Sequence, residues 1–234
     1  MSSLSKQKHS EHSTLGTGII ENILNNFSEK EVIVVNDGYQ ICTQGNESDY
    51  LYQILDGVVA IKAKDANGIN KFIDFAGQGE FIGLSNVVLS TSCNFDIYAF
   101  GKVKLLRVDQ NMFKNHLDND PSFAANVLIL LTKETASKEG RLFNLLNLNV
   151  YHRVGYLIIR LAQLFGYDRE HKIPVMLKVE TLCQLTGSTV STIYNALNKL
   201  RLNDCAYFEN GSIHIISLGN LKYQFDGQEQ VLLY

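Results

Sequence analysis

The chain has 234 residues, 45% of them hydrophobic, and a formal net charge of -3. That length suits two modest domains, and the weak negative charge excludes a nucleic-acid binder that works by overall attraction, so any such surface must be local. No apolar run approaches the ~20 residues that cross a bilayer, and Lys6 and Lys8 precede no apolar secretory segment.

Four widely spaced cysteines, Cys42, Cys93, Cys183 and Cys205, form no C-x-x-C pair. A reduced, cytoplasmic protein with free thiols is expected. The glycosylation-like triplets at Asn46 and Asn210 then read as turns.

Residues 1–17 are rich in Ser, Lys and His and poor in apolar side chains, the composition of a mobile arm. His9 and His12 have no further ligand nearby and read as solvated. From Gly18 a short helix is expected, with Ile19, Ile20, Ile23, Leu24 and Phe27 on one side.

The pattern then changes. Short β-branched and aromatic runs at 32–35, 39–43, 50–54, 58–63, 72–75, 96–100 and 103–108 alternate with turn signals. Those signals include Asp37-Gly38, Gln44-Gly45, Asp56-Gly57, Asn67-Gly68 and Gly77-Gln78-Gly79. Turns every ~8–12 residues predict a β-barrel of jelly-roll type over 18–120, a shape that commonly encloses a small-molecule cavity.

Asp109 and Asp120 read as helix N-caps, with Pro121 at a first helical position where its missing N–H costs nothing. A long helix is predicted over 121–149. Apolar residues Phe123, Val127, Leu130, Leu131, Leu142 and Leu145 flank a polar middle, which suggests pairing of two subunits. The competing reading is a bent helix packed on its own barrel.

Residues 151–165 form another amphipathic pattern stopped by Gly166, and 174–177 read as a short strand. Val179, Leu182, Cys183 and Leu185, then Ile193, Ala196, Leu197 and Leu200, mark two short helices joined at Gly187. Ser188 or Thr189 is placed to cap the second. At about 100° per residue Ser191, Tyr194, Asn195 and Asn198 fall opposite its apolar side. Strand residues 205–208 and 213–216 around Asn210-Gly211 predict a hairpin. Two helices and a hairpin make a winged helix-turn-helix over 150–234, whose second helix suits a DNA major groove. Residues 218–225 end the pattern as a short helix or strand, and the last four residues are apolar for a tail.

The order of β-barrel, long helix and winged helix, with T-G-S-T-V-S-T-I-Y-N-A-L-N-K-L at the reading helix, resembles the Crp/Fnr family of bacterial transcription regulators. G-Q-G-E-F-I-G from Gly77 and A-F-G-K-V-K-L-L-R-V from Ala99 look like the family's pocket turn and last barrel strand. The α+β architecture implied is a cyclic-nucleotide-binding-like barrel, a dimerisation helix and a DNA-binding domain. The likeness covers nearly the whole chain beyond the arm.

The departures are informative. Cyclic-nucleotide-binding members carry a Glu after the pocket Gly and an Arg about ten residues on. Here Leu84 follows Gly83, and Cys93-Asn94 stand near the Arg position. Without a guanidinium to neutralise a cyclic phosphate, binding through the usual contacts is not expected. The resemblance therefore implies an effector pocket at Phe81, Ile82, Gly83, Leu84, Ser85, Cys93 and Asn94 with an unknown effector. It offers no recognised cofactor, metal or iron–sulfur ligands.

Many members place Arg and Glu in the reading helix where this chain has Val190, Ser191 and Asn195. The serine-rich helix is more similar to that of PrfA-type members. Ser191 and Asn195 suit hydrogen bonds to base edges, and the Val190 and Thr192 methyls suit thymine. Ser188, Thr189, Tyr194, Asn198, Lys199 and Arg201 complete the expected contact set, the two cations on phosphates. An A/T-leaning palindrome read by a homodimer is expected, with RNA polymerase a candidate partner and no membrane.

Other chemistry is poorly supported. Gly77-x-Gly79-x-x-x-Gly83 misses the dinucleotide spacing and reads as turns, and no catalytic carboxylate pair stands out, so no enzyme is expected. The cysteines lack basic neighbours in sequence and read as inert. The alternative function is a ligand- or partner-binding module whose helix-turn-helix no longer reads DNA, consistent with the nearly balanced charge after Tyr151.

Overall fold

The computed structural model describes Phe27, Lys30 and residues 31–225. The expected arm, nearly all of the first helix and the apolar terminal residues lie outside that range.

Strands β1 (Glu31–Val35), β2 (Gln40–Cys42), β3 (Tyr50–Lys64), β4 (Asn70–Ala76), β5 (Phe81–Ile82) and β6 (Asp96–Asp109) form one antiparallel sheet. Its order is β1-β6-β3-β4, with β2 added to β6 and β5 to β3. The sheet rolls up without closing, so the predicted barrel is an open roll. Val35, Ile54, Val59, Val103 and Leu105 fill its interior.

Two expected turns are not turns. Asp56-Gly57 lies inside β3, where the register against β6 shifts. A Cβ on Gly57 would stand 2.6 Å from the Lys102 carbonyl, and the residue has φ of 91°. Glycine is thus needed for a bulge that bends a long strand, not for a chain reversal. The break expected between 100 and 103 likewise lies within β6, at Gly101. The sequence pattern also missed β5 and a one-and-a-half-turn helix α1 (Leu84–Leu89), both too short to show a period.

Helices α2 (Gln110–Asn119) and α3 (Pro121–Asn147) start as expected. Asp109 Oδ1 accepts from the Asn111 and Met112 amides, and Asp120 Oδ1 from Ser122 and Phe123. Each cap satisfies donors that the first turn leaves unpaired. Phe27, Phe113 and Phe123 pack ring to ring beneath them, joined by Leu51, Leu84 and Val127.

The C-terminal part holds α4 (Val150–Phe165), α5 (Val179–Thr186), α6 (Val190–Leu202), strands β7 (Ala206–Glu209) and β8 (Ser212–Ile215), and α7 (Leu218–Phe225). Gly187 ends α5 at φ 59°, and Asn210-Gly211 turns the hairpin with φ of 50° and 79°. Residues 174–177 are not a strand. Ile173 N donates to Ile213 and Leu177 N to Gly211, but Pro174 between them has no N–H and the ladder stays broken.

The core of this part, including Ile158, Leu161, Ile193, Leu200 and Ile213, is continuous with Val58, Ala60 and Phe75 of the roll. Phe75, Phe100 and Phe165 meet edge to face across the junction, with centroids 5.4–5.7 Å apart. Asp74 receives Arg160 of α4 at 3.4 Å and Arg141 of α3 at 3.2 Å. Arg160 also donates to the Phe75 carbonyl at 2.8 Å. The Phe72 amide donates to Gln184 of α5 at 2.8 Å, so strand β4 touches both α4 and α5.

Candidate nucleic-acid interface and effector pocket

Helix α6 is two-sided. Ile193, Ala196, Leu197 and Leu200 are buried, while Val190, Ser191, Tyr194, Asn195, Asn198 and Lys199 are exposed. The 3.6-residue period therefore leaves a row of small hydrogen-bonding groups facing outward. Ser188 is half-buried and its hydroxyl donates to the Thr186 carbonyl.

Thr189 occupies the N-cap of α6, but no side-chain oxygen caps the helix. Its hydroxyl pairs instead with Thr192 at 2.8 Å and lies 3.3 Å from Ser191. The expected capping bond is thus replaced by a hydroxyl cluster, which leaves the first-turn amides of α6 without a side-chain acceptor from the cap.

At the other end, the Lys199 ammonium sits 4.4 Å over the Tyr151 ring and the Arg201 guanidinium 5.5 Å over Tyr207. Both cations favour the last turn of a helix in any case. The aromatic contacts hold them in one place, an arrangement no sequence period could reveal. Tyr207 itself stacks on His214 across the hairpin, 4.6 Å between centroids. Tyr151 is anchored in turn, its hydroxyl accepting from Asn203 and bonding Gln224.

The second site is a cavity of about 110 Å³ in the roll. All seven residues expected there, Phe81, Ile82, Gly83, Leu84, Ser85, Cys93 and Asn94, line it. Leu84, at the position of the family's Glu, is buried in the core under α2 and α3. Glu134 and Lys138 of α3 also line the cavity. Their carboxylate–ammonium distance is 3.5 Å, and burial pushes the Glu134 carboxyl up while Lys138 opposes that shift. Sequence reasoning took this polar middle of α3 as the stretch between the two apolar ends of a subunit-pairing helix. The i,i+4 Glu–Lys spacing was visible, but nothing in it pointed at a cavity.

Cys42 is another unforeseen lining residue. Burial, then the neighbouring Cys93, push its thiol up to about 12. Burial likewise raises Cys183 and Cys205.

The six residues expected on a subunit-pairing face divide. Phe123 and Val127 are buried in their own chain's core, and Leu130 and Leu131 pack half-buried against it. The N-terminal half of α3 is therefore held by α2 and the roll, which claim its apolar side first. Leu142 and Leu145 remain exposed. With Leu128 and Leu146 they extend a stripe at heptad spacing, and Leu128, Leu142 and Leu146 are 65%, 56% and 74% exposed.

A rolled sheet joined by a long helix to a helix-turn-helix and hairpin defines a two-domain architecture. Residues 32–120 match the cyclic nucleotide-binding domain family. The CRP-like cAMP-activated global transcriptional regulator of Mycobacterium tuberculosis is 22% identical over 162 residues, 68% of this chain and 72% of that protein. A CRP/FNR-family transcriptional regulator from Thermus thermophilus shares the fold at a TM-score of 0.70 and 20% identity, covering 84% of this chain and 98% of that one. FixK2 from Bradyrhizobium japonicum does so at 0.69 and 15%, with the same coverage. The chain thus has the fold of the Crp/Fnr regulators, and its residues 32–120 belong to the cyclic nucleotide-binding domain family.

Proposed function

We propose that the protein is a homodimeric regulator that reads double-stranded DNA through α6, and whose effector, in the roll cavity, is not a cyclic nucleotide. The observation that carries this reading is the exposed row Ser191, Tyr194, Asn195 and Asn198 on a helix whose back is fully buried. Lys199 and Arg201, held on aromatic rings at its end, supply phosphate contacts.

The row holds no guanidinium for guanine. Asn195 suits adenine and the Val190 and Thr192 methyls suit thymine, so the half-site leans to A/T. Two subunits paired along α3 present two such helices to major grooves one turn apart, hence a palindrome. In this reading residues 18–120 sense, 121–149 pair and 150–234 bind DNA.

Exclusion of cyclic nucleotide rests on the cavity. Among the described residues Lys138 is the only cation lining it, and it is shared with Glu134. Its volume of about 110 Å³ compares with roughly 300–1,000 Å³ for drug-sized ligands. Calorimetry with cyclic AMP and cyclic GMP is expected to show no binding, and micromolar binding in the roll would contradict it.

The reading of α6 is tested with Ser191→Ala and Asn195→Ala. Each is expected to cost about 1–3 kcal/mol on the preferred duplex and little on random duplex. Equal losses on both would show that α6 does not read sequence.

A further inference from the structure

The roll cavity brings together two cysteines that stand 51 positions apart and that no sequence pattern pairs. Cys42 comes from β2, and Cys93 from the segment that leads into β6. Backbone bonds hold the two stretches side by side: Gly45 N donates to the Cys93 carbonyl at 2.9 Å, and Cys93 N to the Asn46 carbonyl at 2.8 Å. Both thiols are free, both residues are buried, and both line the cavity.

Such a pair selects strongly among ligands. Zinc and other borderline ions take four ligands, and hard ions take six or more oxygens. Among the described residues no three His, Cys, Asp or Glu side chains gather as such an ion would need. Soft monovalent d10 ions accept two thiolates alone. The small cavity fits an ion better than an organic effector.

Two thiolates around a monovalent ion carry one net negative charge, less than the two that they would carry without it, and the Lys138 ammonium, paired with Glu134, lines the same cavity. We propose that Cys42 and Cys93 form a two-coordinate site for a soft monovalent metal ion of copper(I) chemistry. This deepens the reading of the cavity as the effector site and rests on it. In the binding step two S–H bonds break, two sulfur–metal bonds form and two protons leave to solvent, with no change of oxidation state. The same site in α3's reach links occupancy to the subunit-pairing helix through Glu134 and Lys138.

The test uses the full-length, reduced protein under anaerobic conditions, titrated with copper(I) against a competing chelator. One copper per chain is expected, lost in Cys42→Ala and in Cys93→Ala and kept in the Cys183→Ala/Cys205→Ala double variant. Because a buried Cys→Ala change can disturb folding, two readouts use the double variant, which keeps both site thiols. X-ray absorption is expected to show two sulfur neighbours, and the apparent Kd is expected to fall about 100-fold per pH unit, as release of two protons requires. Copper retained in either single variant, a nitrogen or oxygen neighbour, or a one-proton pH slope would overturn the site. DNA affinity with and without copper is a separate measurement. Loss of copper binding with intact DNA binding removes this proposal and leaves the regulator standing, whereas copper binding without DNA binding does the reverse.

Discussion

A single methyl group locates the tightest contact between α4 and α7. A Cβ on Gly155 would lie 2.4–2.7 Å from three ring carbons of Phe225, and Phe225 is fully buried. Gly155→Ala is expected to destabilise the C-terminal part by about 1–3 kcal/mol in urea unfolding; an unchanged midpoint would mean that the ring moves aside freely. The Cys42 thiol makes a pH prediction of its own. Burial raises it from 9.0 to about 12, so the folded state holds its proton more tightly than the unfolded chain does. Its contribution to stability is complete below about pH 9 and is lost as pH rises from there to about 12. Denaturation at stepped alkaline pH should show a decline over that window that is smaller in Cys42→Ala.

At the scale of elements, β4 carries polar contacts between the roll and the helices beyond it. Asp74 is bound by Arg141 of α3 and Arg160 of α4, and Phe72 by Gln184 of α5. These ion pairs are partly exposed, and each is worth roughly 1 kcal/mol or less. Asp74→Ala is expected to raise hydrogen exchange a few-fold at 72–76 and 179–186 and to leave β1 and β2 unchanged. Uniform exchange across the chain would place the coupling elsewhere. None of this junction was legible in the sequence, because long-range ion pairs leave no period. What was legible is what local chemistry dictates. Asp109 and Asp120 announced their caps, Gly187 its turn and Asn210-Gly211 its hairpin. Asp56-Gly57 misled for a physical reason: the same dipeptide that reverses a chain also bends a strand, and only the opposing Lys102 carbonyl decides between them. The exposed polar row of α6 followed from the helical period, and the cavity residues around Gly83 from a resemblance. Cys42, Glu134 and Lys138 joined them only through folding.

For the whole molecule, the proposed function joins subunit pairing to DNA reading. The exposed stripe Leu128, Leu142 and Leu146 is apolar at both ends and polar between, where Thr132, Thr135 and Glu139 continue the heptad spacing. Leu142→Glu with Leu146→Glu is expected to shift sedimentation at micromolar concentration from dimer to monomer, while Phe123→Ala, in the chain's own core, should lower thermal stability without changing the dimer. The central claim is tested most directly by selecting from random duplex DNA with purified, reduced protein at ~100 mM salt, since low salt inflates non-specific binding. The account predicts an enriched A/T-leaning palindrome with half-sites about one helical turn apart, in the apo protein or after addition of copper(I). A protein that enriches no sequence under either condition, while remaining folded and dimeric, would contradict it.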